Sequence, residues 1–140
     1  MSYIAKIYLN KMFPKKGEDA IHLEDDYVVF PMNNVINPIE ASDVPDNINE
    51  FFEIIVNGKP LAGKNAPDEV FEDMKLVWEE DKEFTSENYK KAKGQVLPVG
   101  NKIKLYIPNH LDLESGQKLK IEVKIHQDAP ITFRLRRKLA

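Results

Sequence analysis

The chain has no cysteine among its 140 residues, which removes disulfides, thiolate metal sites and cysteine nucleophiles together. Long apolar runs are missing too. The longest uncharged stretches, such as Tyr27-Val28-Val29-Phe30-Pro31-Met32, fall far short of the ~20 residues a membrane-crossing helix needs. The opening Met1-Ser2-Tyr3-Ile4-Ala5-Lys6 lacks the layout of a signal peptide and reads straight into a strand. These absences point to a cytoplasmic protein with no membrane partner. Patterns that carry chemistry are also lacking. No serine sits in a nucleophile elbow, and Gly58, Gly63 and Gly94 are not spaced to cradle a phosphate. His22, His110 and His126 are scattered, none at i, i+4 from a second ligand. Glu24-Asp25-Asp26 and Glu79-Glu80-Asp81 lack the alternate-residue spacing of a calcium loop and read as solvated acid faces. No metal or cofactor is expected, and the balance is against an enzyme.

What is present is a length suited to a single domain, residues 1–140, with 42% apolar and 31% charged side chains, the usual mixture of a globular protein. The clearest signal is alternation. Lys102-Ile103-Lys104-Leu105-Tyr106-Ile107 and Lys118-Leu119-Lys120-Ile121-Glu122-Val123-Lys124-Ile125 switch between polar and apolar at every residue or nearly so. That period of two predicts half-buried strands with lysines toward water. Gly116 in the connection can take a positive φ, so the two runs are expected to pair through a loop. Further strands are expected over residues 3–9, 21–23, 27–32, 51–56 and 131–135, and residues 96–99 lead into the lysine-rich strands. Asn57-Gly58 is a two-residue hairpin signal, and Pro60 limits the return strand 59–62 to a short piece or an edge. Residues 33–49, with Pro38, Pro45 and five asparagines, read as an irregular surface loop.

The middle reads as helical. Pro67-Asp68-Glu69 suits a first turn, and Val70, Phe71, Met74, Val77 and Trp78 lie on a 3.6-residue period, predicting a helix whose stripe faces a sheet. Thr85 or Ser86 can cap a second, shorter helix that ends near lysines 90, 91 and 93 and Gly94. The expected fold is therefore α+β: a β-rich antiparallel sheet or small barrel with a two-helix insertion packed on one side. Val28 to Ile36 and Leu105 to Leu113 share a rhythm of apolar strand, proline, polar pair and apolar residue, which two halves of a pseudo-symmetric barrel would display.

Over Lys104 to Ile125, the order Ile107-Pro108, Leu111, Leu113, Gly116 and then an alternating strand resembles the repeating unit of swapped-hairpin barrel regulators of the AbrB type. The resemblance covers some twenty residues. It departs where that family has a basic residue after the proline, since Asn109 stands here, and where the family has a short helix. Its DNA-binding function is not carried over.

Charge is unevenly placed. Residues 102–140 hold nine basic and four acidic side chains, a net of +5, which leaves −8 for residues 1–101 in a chain of net −3. Such asymmetry fits opposite charges on opposite sides of one molecule, and it also fits an anionic partner at the basic end. The candidate contacts to that partner are Arg134, Arg136, Arg137 and Lys138, helped by Lys102, Lys104, Lys118 and Lys120. The expected function is a non-enzymatic protein-binding or assembly module of a cytoplasmic complex. Self-association or docking would run through a strand edge, at the last strand or the Asn57-Gly58 hairpin. The alternative is a nucleic-acid-binding small β-barrel using the basic C-terminal strands, although Tyr106 and Phe133 offer little stacking surface.

Overall fold

The computed structural model describes residues 10–15, 17, 20–33, 39–40, 52–78, 82–87, 96–97, 102–125 and 131–140. The strand expected over residues 3–9 lies outside them. Five strands form one sheet in the order β1 (His22–Glu24), β2 (Tyr27–Asn33), β9 (Lys102–Pro108), β6 (Lys75–Trp78) and β7 (Lys82–Thr85). Four form a second, in the order β11 (Ile131–Lys138), β10 (Lys118–Ile125), β4 (Phe52–Val56) and β5 (Lys59–Gly63). β3 (Ile39–Glu40) pairs with β8 (Val96–Leu97). All described pairings are antiparallel. A helical turn at residues 10–12 and helix α1 (Asp68–Asp73) complete the described elements, giving a β-rich α+β fold. Both larger sheets have linear strand orders, so the described strands do not close a barrel.

The two sheets share one core. Val28, Phe30 and Ile107 from the first meet Ile54, Val56, Leu61, Leu119, Ile121, Phe133 and Leu135 from the second, with Met12, Phe13, Val70 and Met74 joining from outside the sheets. Alternation in β10 and β11 works as expected, apolar residues turning to this core and Lys118, Lys120, Arg134, Arg136 and Lys138 to solvent. Asn57 and Gly58 both take positive φ, 52° and 82°, as the tight β4–β5 turn requires. Among the described strands β5 is an edge, which is where Pro60 can lack its amide donor without breaking the sheet. β11 is the opposite edge among the described strands.

Three expectations are corrected. First, the two lysine-rich runs do not pair with each other. β9 pairs with β2 and β6, and β10 pairs with β11 and β4, so the connection crosses from one sheet to the other. Asn109 closes this crossing on itself, its Oδ1 accepting from Leu113 N and its Nδ2 donating to Leu113 O, both at 2.9 Å, and buried Leu113 is drawn into the core. Gly116 does take φ +87°, but in a turn that leads into β10 rather than in a hairpin. Second, the helical stripe ends early. Met74 is extended (φ −72°, ψ 150°), and Lys75–Trp78 is strand β6, held between β7 and β9. A six-residue helix with acids and no base in its last turn has little stability of its own, and the two ladders offered to Leu76-Val77-Trp78 outweigh it. Trp78 is buried, but its partners are Phe84, Leu76 and Ile103 in a small separate cluster, with the Phe84 ring edge-on at 6.3 Å between centroids. Third, Thr85 ends β7 and Ser86-Glu87 form a turn where a second helix was expected to begin; residues 88–93 of that helix lie outside the described ones. The rhythm shared by 28–36 and 105–113 falls on two strands of one sheet, and no closed barrel forms among the described strands. β2 and β9 are direct antiparallel neighbours, with Val28 opposite Ile107 and Pro31 opposite Lys104.

Candidate functional site

A groove of about 860 Å³ opens where β10 begins and β11 ends. Lys118 and Lys120 of β10, Arg136, Arg137 and Lys138 of β11, and Lys15 line it, with Asn57, Ser115 and Gly116. No acidic side chain is among the described residues of its lining. The antiparallel register puts Lys118 directly opposite Lys138 and Lys120 directly opposite Arg136. Like charges in direct opposition are unfavourable, and here two successive rungs carry them. None of Lys15, Lys118, Lys120, Arg136 and Lys138 forms an ion pair with a described residue.

One rung further along, the pattern reverses. Glu122 stands opposite Arg134 and accepts from Arg134 Nε at 3.3 Å and Lys124 Nζ at 3.2 Å. Burial acts to raise the Glu122 pKa, but these bonds outweigh it and hold the carboxyl below its ordinary 4.5. A folded pKa below the unfolded one contributes stability that is present above about 4.5 and lost as pH falls through the folded value. Glu122→Gln is therefore expected to flatten the acid limb of the urea midpoint plotted against pH. An acid limb unchanged by the substitution would show that the pair contributes no such linkage.

The groove is held rigidly by backbone. Asn57 at the β4–β5 turn donates its amide to Lys120 O and accepts from Lys120 N through Oδ1, each at 2.9 Å, fixing the strand that carries two of the cations. Gly116 N donates to Leu139 O at 2.6 Å, and Leu139 N donates to Gln117 O at 2.8 Å, tying the end of β11 to the turn before β10. Ala140 N donates to Ile21 O at 3.0 Å. Beneath the surface lies Arg137, 7% exposed. Its Nε and Nη2 donate to Phe13 O at 3.1 and 2.8 Å, Nη2 to Asn10 Oδ1 at 3.1 Å, and Nη1 to Arg136 O at 2.7 Å. Burial lowers its pKa, but a guanidinium so strongly basic stays charged at neutral pH. Its partners are neutral carbonyls, so the cation is satisfied without losing its charge.

Of the eight expected contacts, then, Lys118, Lys120, Arg136, Arg137 and Lys138 are brought together here. Arg137 faces the core side of β11 and serves as an anchor rather than an exposed contact. Arg134 is held by Glu122 beyond the groove. Lys102 and Lys104 sit in the other sheet on β9, opposite Asn33 and Pro31. Lys15, Ser115 and Gly116 were missed; they are brought in by loops whose sequence carries no periodic signal.

Elsewhere, polar groups are engaged in structure. His110 Nε2 lies 2.8 Å from Leu61 O, and because a carbonyl can only accept, this nitrogen carries the proton. His22 Nδ1 meets Ala20 O at 2.8 Å in the same way. On the five-stranded sheet, Lys75 Nζ stands 4.5 Å from the Tyr106 ring centre and 5.4 Å from that of Tyr27. Burial first, then Glu24 and Glu83, push the Tyr106 phenol up, away from any role as a base near neutral pH. No group of three or more His, Asp or Glu among the described residues could hold a metal ion, and no described helix is long and apolar enough to cross a membrane. Neither a protein-family model nor a curated protein matches this chain.

Proposed function

We propose that this chain is a non-catalytic binding module of a cytoplasmic assembly, docking an acidic protein segment in the groove between β10 and β11. The observation that carries this is the pair of successive like-charged rungs, Lys118 opposite Lys138 and Lys120 opposite Arg136, with no described counter-ion. A fold gains nothing from such rungs by itself, and an incoming set of carboxylates relieves both. Spacing supports a polypeptide ligand: the cations stand about 5 Å apart across the two strands and about 7 Å apart along each, separations that neighbouring carboxylates of an acidic segment can match. Nucleic acid is the second reading, and the lining disfavours it, because no described lining residue is aromatic and bases would have nothing to stack on.

Lys120→Glu tests the proposal with two opposed effects. Opposite Arg136, a glutamate turns a repulsive rung into an attractive one and is expected to raise stability by roughly 0.2–1 kcal/mol. The same change should abolish binding of a fluorescent poly-glutamate peptide that the wild type binds with a steep salt dependence. Anisotropy titration and urea melts read the two effects. A variant that binds poly-glutamate as tightly as the wild type would remove the groove from the reading, and preferential binding of a nucleic-acid polymer would replace the peptide as ligand.

A further inference from the structure

We infer that the acidic segment entering the groove is helix α1 of a second copy of this chain, an inference that rests on the groove being an acidic docking site. Asp68, Glu69, Glu72 and Asp73 are all exposed on that helix, and none pairs with a described cation. Their spacing repeats the frustration of the groove with opposite sign. Asp68 with Glu72 and Glu69 with Asp73 are like-charged pairs at i, i+4, an arrangement that destabilises a helix. Glu72 and Asp73 also lie at the C-terminal end, where the helix dipole favours cations and the last turn holds none. Such i, i+4 pairs are about 5–6 Å apart, close to the roughly 5 Å between cross-strand neighbours such as Lys120 and Arg136. Two acidic pairs therefore match two basic rungs in number and in the spacing within each pair, with opposite sign.

Within one copy the helix lies away from the groove, and none of its acids pairs with a described groove cation. Asn57, at the β4–β5 turn, lines the groove, whereas α1 follows Gly63 at the far end of β5. The β5 strand alone puts more than about 13 Å between them. A contact between α1 of one copy and the groove of the next joins two different surfaces, so it propagates into a ring or an open array rather than closing as a two-fold dimer. The uneven charge of the chain, −8 over residues 1–101 and +5 over residues 102–140, is the long-range counterpart of this contact.

Charge reversal in full-length protein, followed by sedimentation velocity, tests the inference. The wild type is expected to self-associate at low salt and to dissociate at high salt. Lys120→Glu with Arg136→Glu should weaken self-association by roughly tenfold or more, as should Glu69→Lys with Glu72→Lys, from the loss of several exposed ion pairs. The first variant keeps its rung like-charged, so its fold should be little altered, and circular dichroism checks both. Mixing the two variants should restore association, since each then presents a surface complementary to the other. A wild type that stays monomeric at low salt, or a mixture no more associated than its components, overturns the inference. Binding of poly-glutamate by that monomer would show that the groove reading survives while the second copy does not.

Discussion

Gly63→Ala is expected to destabilise the protein by roughly 2–5 kcal/mol, from backbone strain and overpacking together. Gly63 closes β5 at φ +103°, a region that side chains rarely adopt. It also faces the backbone of β4 at close quarters: an alanine Cβ would fall against the Phe52 carbonyl oxygen and 2.7 Å from Glu53 Cα. Neither obstacle is the free end of a flexible side chain. Relief requires moving β4, whose Glu53 pairs with Gly63 and is itself 6% exposed, with Asn65 Nδ2 donating to its Oε2 at 3.3 Å. Gly58 supplies the control. It has φ +82° but nothing within 4 Å of an added Cβ, so Gly58→Ala should show the conformational penalty alone, about 1–2 kcal/mol. Urea denaturation of both variants separates the two causes. Equal losses would mean that the close approach to β4 contributes nothing.

Why some of this was legible in the sequence and some was not follows from what periodicity encodes. A period of two reports that one face of a segment is buried; it says nothing about which strand lies alongside. Hence Lys102–Pro108 and Lys118–Ile125 were both recognisable as strands, yet their assignment to different sheets depends on the crossing held by Asn109 and buried Leu113. Val70 to Trp78 failed for another reason. Val70, Phe71, Met74 and Val77 satisfy the helical period, while Leu76 and Trp78, packed together in one cluster, satisfy the strand period. Ladders from β7 and β9 decide between them, and no local feature reports those ladders. The groove was half legible. Its strand cations stand in the alternating segments, but Lys15 and the turn at Ser115-Gly116 reach it only through tertiary folding. Arg137 is a different case, because the signal was available: Phe133, Leu135, Arg137 and Leu139 share one face by strand alternation, and all four are buried. Grouping Arg137 with its basic neighbours by composition hid a position that the period of two placed inside.

That inward position predicts the other large effect. Arg137→Met is expected to cost about 3 kcal/mol, chiefly by orphaning the Phe13 carbonyl, which accepts two of its hydrogen bonds, and by releasing Asn10. The loss is moderated because methionine fills much of the aliphatic volume and no longer asks a charge to be buried. Arg137→Lys separates charge from geometry. It keeps the cation, but a single ammonium on a shorter reach cannot fork between Phe13 O and Asn10 Oδ1 as the guanidinium does, so its stability should fall between the other two. The guanidinium also pins residues 10–13 beneath the strand whose outer face bears Arg136 and Lys138, and Lys15 follows two residues after Phe13 to line the groove. Arg137 thus acts as a positioning residue for that wall. Trypsin cleavage after Lys11 and Lys15 should accelerate in both variants, more in Arg137→Met, under conditions where the fold remains intact by circular dichroism. Poly-glutamate binding should weaken in Arg137→Lys although no charge has been removed. Undiminished binding with unchanged cleavage in Arg137→Lys would mean that the fork holds neither the segment nor the wall, leaving Arg137 as a buried cation with no influence on the groove.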